Sequence, residues 1–325
     1  MSRRAGRAVA GLLLLLSGAR CQARSTTSGG SATATTREAE EARALIDKGD
    51  ADGALARLKG AGDPDSLYLQ GRAWAKKAES APLPTPPPPE SPLPKGALPP
   101  SAPEFKPEER QAVELLEKAA AARPDLAAAH LTLGQVLAPH AIRQHERERE
   151  ALARRPAGRR SPEPPPTPEP GIDYSPERVV REYGLAIRGD TSRVPVDAMI
   201  GFAVKAGRLD DAEVGYQELV RRIKESGEPF ALYGDFLAQE KKDPVAAIEQ
   251  YKQALIWRPD DEATRVKLAA IYLSRGVAFF DKRQYSLAET QFTEAAKYVT
   301  DRGSEQGRIL EQHQAKLRDI RGTTR

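Results

Sequence analysis

From Arg37 onward, apolar residues recur three and four positions apart with charged residues between them. That spacing predicts helix through the whole body of the chain, and the alternation of a half-buried strand is scarce. Three segments repeat one arrangement: GRLDDAEVGYQELV at 207–220, KDPVAAIEQYKQAL at 242–255 and RQYSLAETQFTEAA at 283–296. Each sets a small Ala, an aromatic four residues later, and a small or apolar residue three after that. The trios are Ala212/Tyr216/Leu219, Ala247/Tyr251/Ala254 and Ala288/Phe292/Ala295. The Ala-to-Ala steps are 35 and 41 residues. The second is 34 plus seven, about two extra helical turns.

This pattern resembles the tetratricopeptide repeat, a 34-residue helix–turn–helix unit. Upstream, Ala112, Leu116, Ala119 and Pro124 match its second helix. His130, Leu133, Gly134 and Leu137 match the next first helix, and Val179, Tyr183 and Ala186 another second helix. Leu45, Gly49 and Ala54 mark a first unit, and Leu67, Gly71 and Trp74 the first helix of the next. The resemblance implies an all-α solenoid over 37–325, of about six units, closed by a capping helix at 303–321. Small residues let the paired backbones approach, bulky ones fill the gap, and Pro124 and Pro259 end second helices. Trp74 and Trp257 fall at positions expected to pack.

Two tracts interrupt the register. Residues 81–103 hold eleven of the 27 prolines and 156–170 hold seven. The inserted loops, taken as 81–106 and 139–174, fall between the first and second helices of units two and three. Such composition favours polyproline II without a packed core. The second insertion also carries a charged stretch at 139–160, with helix expected over about 140–154. Arg143, Arg147, Arg149, Arg154, Arg155, Arg159 and Arg160 stand there against three Glu, a net charge of +4 equal to that of the whole chain. One reading is a solvated helix with interleaved ion pairs. Another is a basic patch for anionic lipid headgroups or an acidic partner. Aromatics that would stack bases are missing, which argues against nucleic acid.

Arg3, Arg4 and Arg7 precede twelve uncharged, mostly apolar residues, AVAGLLLLLSGA at 8–19. This is the pattern of a secretory signal over 1–20, and it is too short to span a bilayer. Cys21, the only Cys, stands where a bacterial lipoprotein carries its lipid. Arg20 just before it departs from that pattern, and cleavage after Ala19 is the alternative. Residues 21–36 read as a flexible Ser/Thr/Gly-rich tether. An exported bacterial protein of the periplasm or outer membrane is expected, with membrane association through the lipid if Cys21 carries one.

A single Cys excludes an internal disulfide and a thiolate zinc cage. No nucleophile elbow, phosphate loop or dinucleotide fingerprint occurs. His145-Glu146 opens like a zincin, but Arg149 stands where the second His is needed. The four His are scattered, and His130 occupies a packing position. Neither cofactor nor metal is expected. Asp210/Asp211 and Asp260/Asp261 sit where helices begin and suit caps. In the tetratricopeptide family, ligand peptides lie in a concave face lined by first helices. The resemblance places that face at Leu131, Gln135, Asp197, Gly201, Ala231, Asp235, Val266 and Ala270. The Lys and Asn of a carboxylate clamp are absent there, and the lining is small, apolar and mildly acidic. The expectation is a non-enzymatic scaffold that binds a protein segment. The alternatives are a module acting through 139–160 and an accessory subunit of an envelope enzyme complex.

Overall fold

A computed structural model describes residues 33–82, 105–153 and 171–323. The expected signal, Cys21, most of both proline tracts and Arg154, Arg155, Arg159 and Arg160 lie outside the described residues. Thirteen helices and no strand occur among those described. They are α1 (Thr33–Asp47), α2 (Ala51–Arg57), α3 (Pro64–Ser80), α4 (Pro107–Ala122), α5 (Ala127–Ala153), α6 (Pro176–Gly189) and α7 (Val194–Lys205). After these come α8 (Leu209–Arg222), α9 (Glu228–Gln239), α10 (Pro244–Trp257), α11 (Glu262–Asp281), α12 (Tyr285–Ala296) and α13 (Glu305–Thr323). Successive helices pair from α1/α2 to α11/α12, giving six hairpins, and α13 packs on both α11 and α12.

The helix starts follow local chemistry. Asp50, Asp63, Ser175, Asp243 and Asp261 are N-caps whose side chains accept backbone N–H groups. Proline sits in the first turn of α3, α4, α6, α7, α9 and α10, where its missing N–H costs nothing. α1 begins at Thr33, so helix reaches back into the expected tether. α5 runs through Pro139 to Ala153, so the helix expected over about 140–154 continues the first helix of unit three. Gly49 lies in the α1–α2 turn at φ +88°, and the buried small residue on α1 is Ala42 instead.

Pairing within a hairpin depends on one small-against-large contact. Gly71, Gly134, Gly234 and Gly276 on first helices face Leu116, Tyr183, Tyr251 and Phe292 on second helices. A Cβ on Gly134 would stand 2.8 Å from the Tyr183 ring, so any side chain there would force the helices apart. Unit four inverts the arrangement: the glycine is Gly215 on the second helix, and Ile200 on the first fills the gap.

α7, α9 and α11 begin 34 residues apart, at 194, 228 and 262. α11 has 20 residues against 12 in α7 and α9, so the extra turns lie at its C-terminal end. Phe292 therefore meets Gly276 near that end, while Ala269 lies buried seven residues earlier.

Same-layer contacts give the curvature. α1 touches α3, α3 touches α5, α5 touches α7, and α13 takes the next first-helix place beside α11. No pair of second helices makes comparable contact among the described residues. α7–α9 and α9–α11 are bridged by the Arg193–Glu228 and Lys267–Asp235 ion pairs, so the first helices form the inner side of the stack. α13 buries Leu310 and Leu317 and turns Arg308, Glu311, Lys316 and Arg318 to solvent.

Candidate functional site: the inner face

The eight expected groove residues lie in pairs on four first helices: Leu131 and Gln135 on α5, Asp197 and Gly201 on α7, Ala231 and Asp235 on α9, Val266 and Ala270 on α11. All are half-buried or exposed, and none belongs to the core. A side chain built at Gly201 would meet nothing within 4 Å. Leu131 packs partly against the core. Val266 is 42% exposed and lies beside α13, where the Gln306 side-chain amide donates to its carbonyl at 3.0 Å.

The face is less acidic than its residue types suggest. Asp235 accepts from the Tyr251 hydroxyl at 2.7 Å and from Lys267 Nζ at 2.7 Å. Asp197 accepts from Arg193 Nε at 2.8 Å, and Arg193 also bonds Glu228 at 3.0 Å. Burial raises the Asp197 carboxyl above the ordinary range, and Arg193 opposes the rise. Burial, then the Asp235 contact, raises the Tyr251 hydroxyl. Asp197 and Asp235 therefore each face a cation of this chain, which lowers the negative charge the face offers.

At the N-terminal end, an open pocket of about 240 Å³ lies between α3 and α5. Glu79, Lys106, Glu109, Gln135, Val136 and Pro139 contribute to its lining. Lys106 Nζ donates to the carbonyls of Ala78 and Ala81 at 2.7 Å each, closing the C-terminus of α3. Lys106 N donates to Glu109 at 2.7 Å. This lysine is therefore committed to the fold.

The described part of the basic stretch is balanced. On α5 beyond Pro139, Arg143, Arg147 and Arg149 alternate with Glu146, Glu148 and Glu150. Arg143 donates to His140 Nδ1 at 2.8 Å. The whole excess of +4 belongs to Arg154, Arg155, Arg159 and Arg160, outside the described residues.

Three features escaped the sequence reading. His140, only 1% exposed, stacks on Phe105 at 3.7 Å between ring centroids, and Tyr174 meets Phe105 edge-on at 5.4 Å. Phe105 lies just before α4 and Tyr174 just before α6, so one histidine of α5 sits against the approaches to both helices. His130 is buried as expected but also polar, facing Glu182 at 2.7 Å. Trp257, expected to pack, is 46% exposed, because α10 ends with it and the chain turns away at Arg258. Trp74 is half-buried, with Lys77 Nζ 5.2 Å from its ring centre. Among the described residues no group of His, Cys, Asp and Glu could hold a metal ion, and no helix is long and apolar enough to cross a membrane.

No family model and no curated protein matches the chain. Solved structures do. A thermophilic tetratricopeptide-repeat protein of Thermus thermophilus is 17% identical, covering 74% of this chain and all of that one, at a TM-score of 0.37. YrrB, a tetratricopeptide-repeat protein with an unusual peptide-binding site, is 15% identical over 72% of this chain and 97% of its own, at 0.38. PilF of Pseudomonas aeruginosa is 11% identical over 86% of this chain and 96% of its own, at 0.38. These superpositions are loose. The tetratricopeptide-like character of the repeat stands on the glycine contacts and the 34-residue helix spacing above.

Proposed function

We propose that the chain is a non-enzymatic scaffold that holds an extended or helical segment of another protein against its inner face, in the bacterial cell envelope. The observation that carries this reading is the inner face itself. Accessible positions recur on four successive first helices, at Gln135, Gly201, Ala231 and Ala270, and the acids beside them, Asp197 and Asp235, are paired with Arg193 and Lys267. A face small in its side chains and balanced in charge suits apolar or helical segments, whose recognition rests on repeated side-chain anchors. The envelope address rests on the Arg-rich start, the apolar run at 8–19 and Cys21.

The test is affinity capture of the full-length protein from its own cells, beside Gly201→Arg, Gln135→Arg and Val214→Arg. Val214 is exposed on the second helix of unit four and serves as the outer control. One dominant envelope protein, kept by Val214→Arg and lost by the inner variants, is the expected outcome. A partner retained by both inner variants would refute the reading. Cys21→Ser in the same series separates the anchor from the groove.

A further inference from the structure

His130 does more than fill a first-helix position. Its Nε2 stands 3.0 Å from the Pro124 carbonyl oxygen, and its Nδ1 stands 2.7 Å from Glu182 Oε2. A carbonyl oxygen only accepts, so Nε2 carries a hydrogen. A second hydrogen must lie between Nδ1 and the carboxyl, because two bare lone pairs repel at that distance. The pair therefore holds one proton more than a neutral imidazole beside a carboxylate.

That proton sits on a three-helix seam. His130 belongs to α5, Glu182 to α6, and Pro124 follows α4, so the contacts join units two and three. α6 also brings Arg178, whose Nε lies 3.5 Å from the other Glu182 oxygen and whose Nη2 donates to Glu117 of α4 at 2.6 Å. Arg188, also on α6, acts against a charged ring. The seam has little slack. One turn along α5 from His130, Gly134 lies against Tyr183, the residue after Glu182.

We propose that the proton shared by His130 and Glu182 is a pH-dependent latch that closes the seam between units two and three at neutral pH and loosens it when lost. Without the proton, Nε2 keeps its bond to Pro124, and the bare Nδ1 faces the carboxylate inside the seam. The hydrogen bond to Glu182 raises the ring's proton affinity above that of free histidine, against burial. A raised value means the stabilisation is complete below about 6.5, the free histidine value, and is lost as pH rises through the folded value.

Amide hydrogen exchange on the full chain, corrected for intrinsic exchange, tests this beside Glu182→Gln. A glutamine amide can donate to Nδ1 of a neutral ring, so this variant keeps both bonds without the extra proton. In the wild type, protection of α5 and α6 should fall by up to about tenfold per pH unit between the free and folded values. In Glu182→Gln it should stay flat. Nitrogen NMR of His130 in the wild type gives a second readout that needs no variant. Both ring nitrogens protonated at pH 7 is the expected result. A neutral ring at pH 7, or equal pH dependence in the two proteins, would overturn the proposal.

Discussion

Phe105 lies flat on His140, with ring centroids 3.7 Å apart and planes 18° from parallel. The contact joins the approach to α4 to the middle of α5. Through Tyr174, edge-on to Phe105, it also reaches the approach to α6. Phe105→Ala should cost about 3–5 kcal/mol in urea unfolding, the usual loss for a fully buried phenylalanine. His140→Ala should speed amide exchange at the starts of both α4 and α6. Acceleration at one helix alone would show that Phe105 and Tyr174 do not share this anchor.

Ile200 and Gly215 hold unit four together with the roles of the two helices exchanged. A Cβ on Gly215 would stand 2.6 Å from Ile200 Cγ1, well inside contact distance. Gly215→Ala should destabilise the protein by about 1–3 kcal/mol through overpacking. Adding Ile200→Ala should recover part of that loss, because the two sites share one gap. Simple additivity in a double-mutant cycle would contradict the contact.

Arg222 closes the end of unit three from unit four. Its guanidinium donates to the carbonyls of Ile187, Asp190 and Ser192 at 2.5, 2.7 and 2.5 Å, and to Glu218 at 2.7 Å. The side chain is only 11% exposed. Lysine cannot place several donors in one plane. Arg222→Lys should therefore lose about 1–3 kcal/mol by leaving partly buried carbonyls unmet. A denaturation midpoint within error of wild type would remove this residue from the account.

Glu218 gives the acid side of the stability profile. The Arg221 hydrogen bond foremost, and Arg222 after it, hold its carboxyl down to about 2. A depressed value means the pair stabilises the fold above the unfolded carboxyl value of about 4.3, and the contribution disappears as pH falls through 2. Carbon NMR of the Glu218 carboxyl should show no titration above pH 4, and Glu218→Gln should flatten the stability curve between pH 4 and pH 2. A carboxyl titrating near 4 would refute the pairing.

The repeat was legible because its signals are local and recurrent. The trios Ala247/Tyr251/Ala254 and Ala288/Phe292/Ala295 are buried, and Gly134 and Gly71 approach their partners closely. The inversion at Ile200 and Gly215 was not legible, since both residues satisfy an apolar pattern on either helix. The Phe105–His140 stack was hidden because a proline tract breaks the periodicity just before Phe105, where its partner would have to be inferred. Charge summed over 139–160 concealed that the helical part is balanced, because net charge carries no position. On the inner face, sequence located accessible positions, but not the pairing of Asp235 with Lys267 across two hairpins. That contact depends on how neighbouring units stack.

A partner held against the first helices would be within reach of their exposed positions. A photo-crosslinking phenylalanine analogue placed singly at Gln135, Gly201, Val214 and Glu249 in living cells reads this out. The first two face the inner side, and the last two are exposed on second helices. One discrete adduct, shared by Gln135 and Gly201 and missing at Val214 and Glu249, is the expected outcome. Adducts from the second-helix positions alone, or from none of the four, would contradict it.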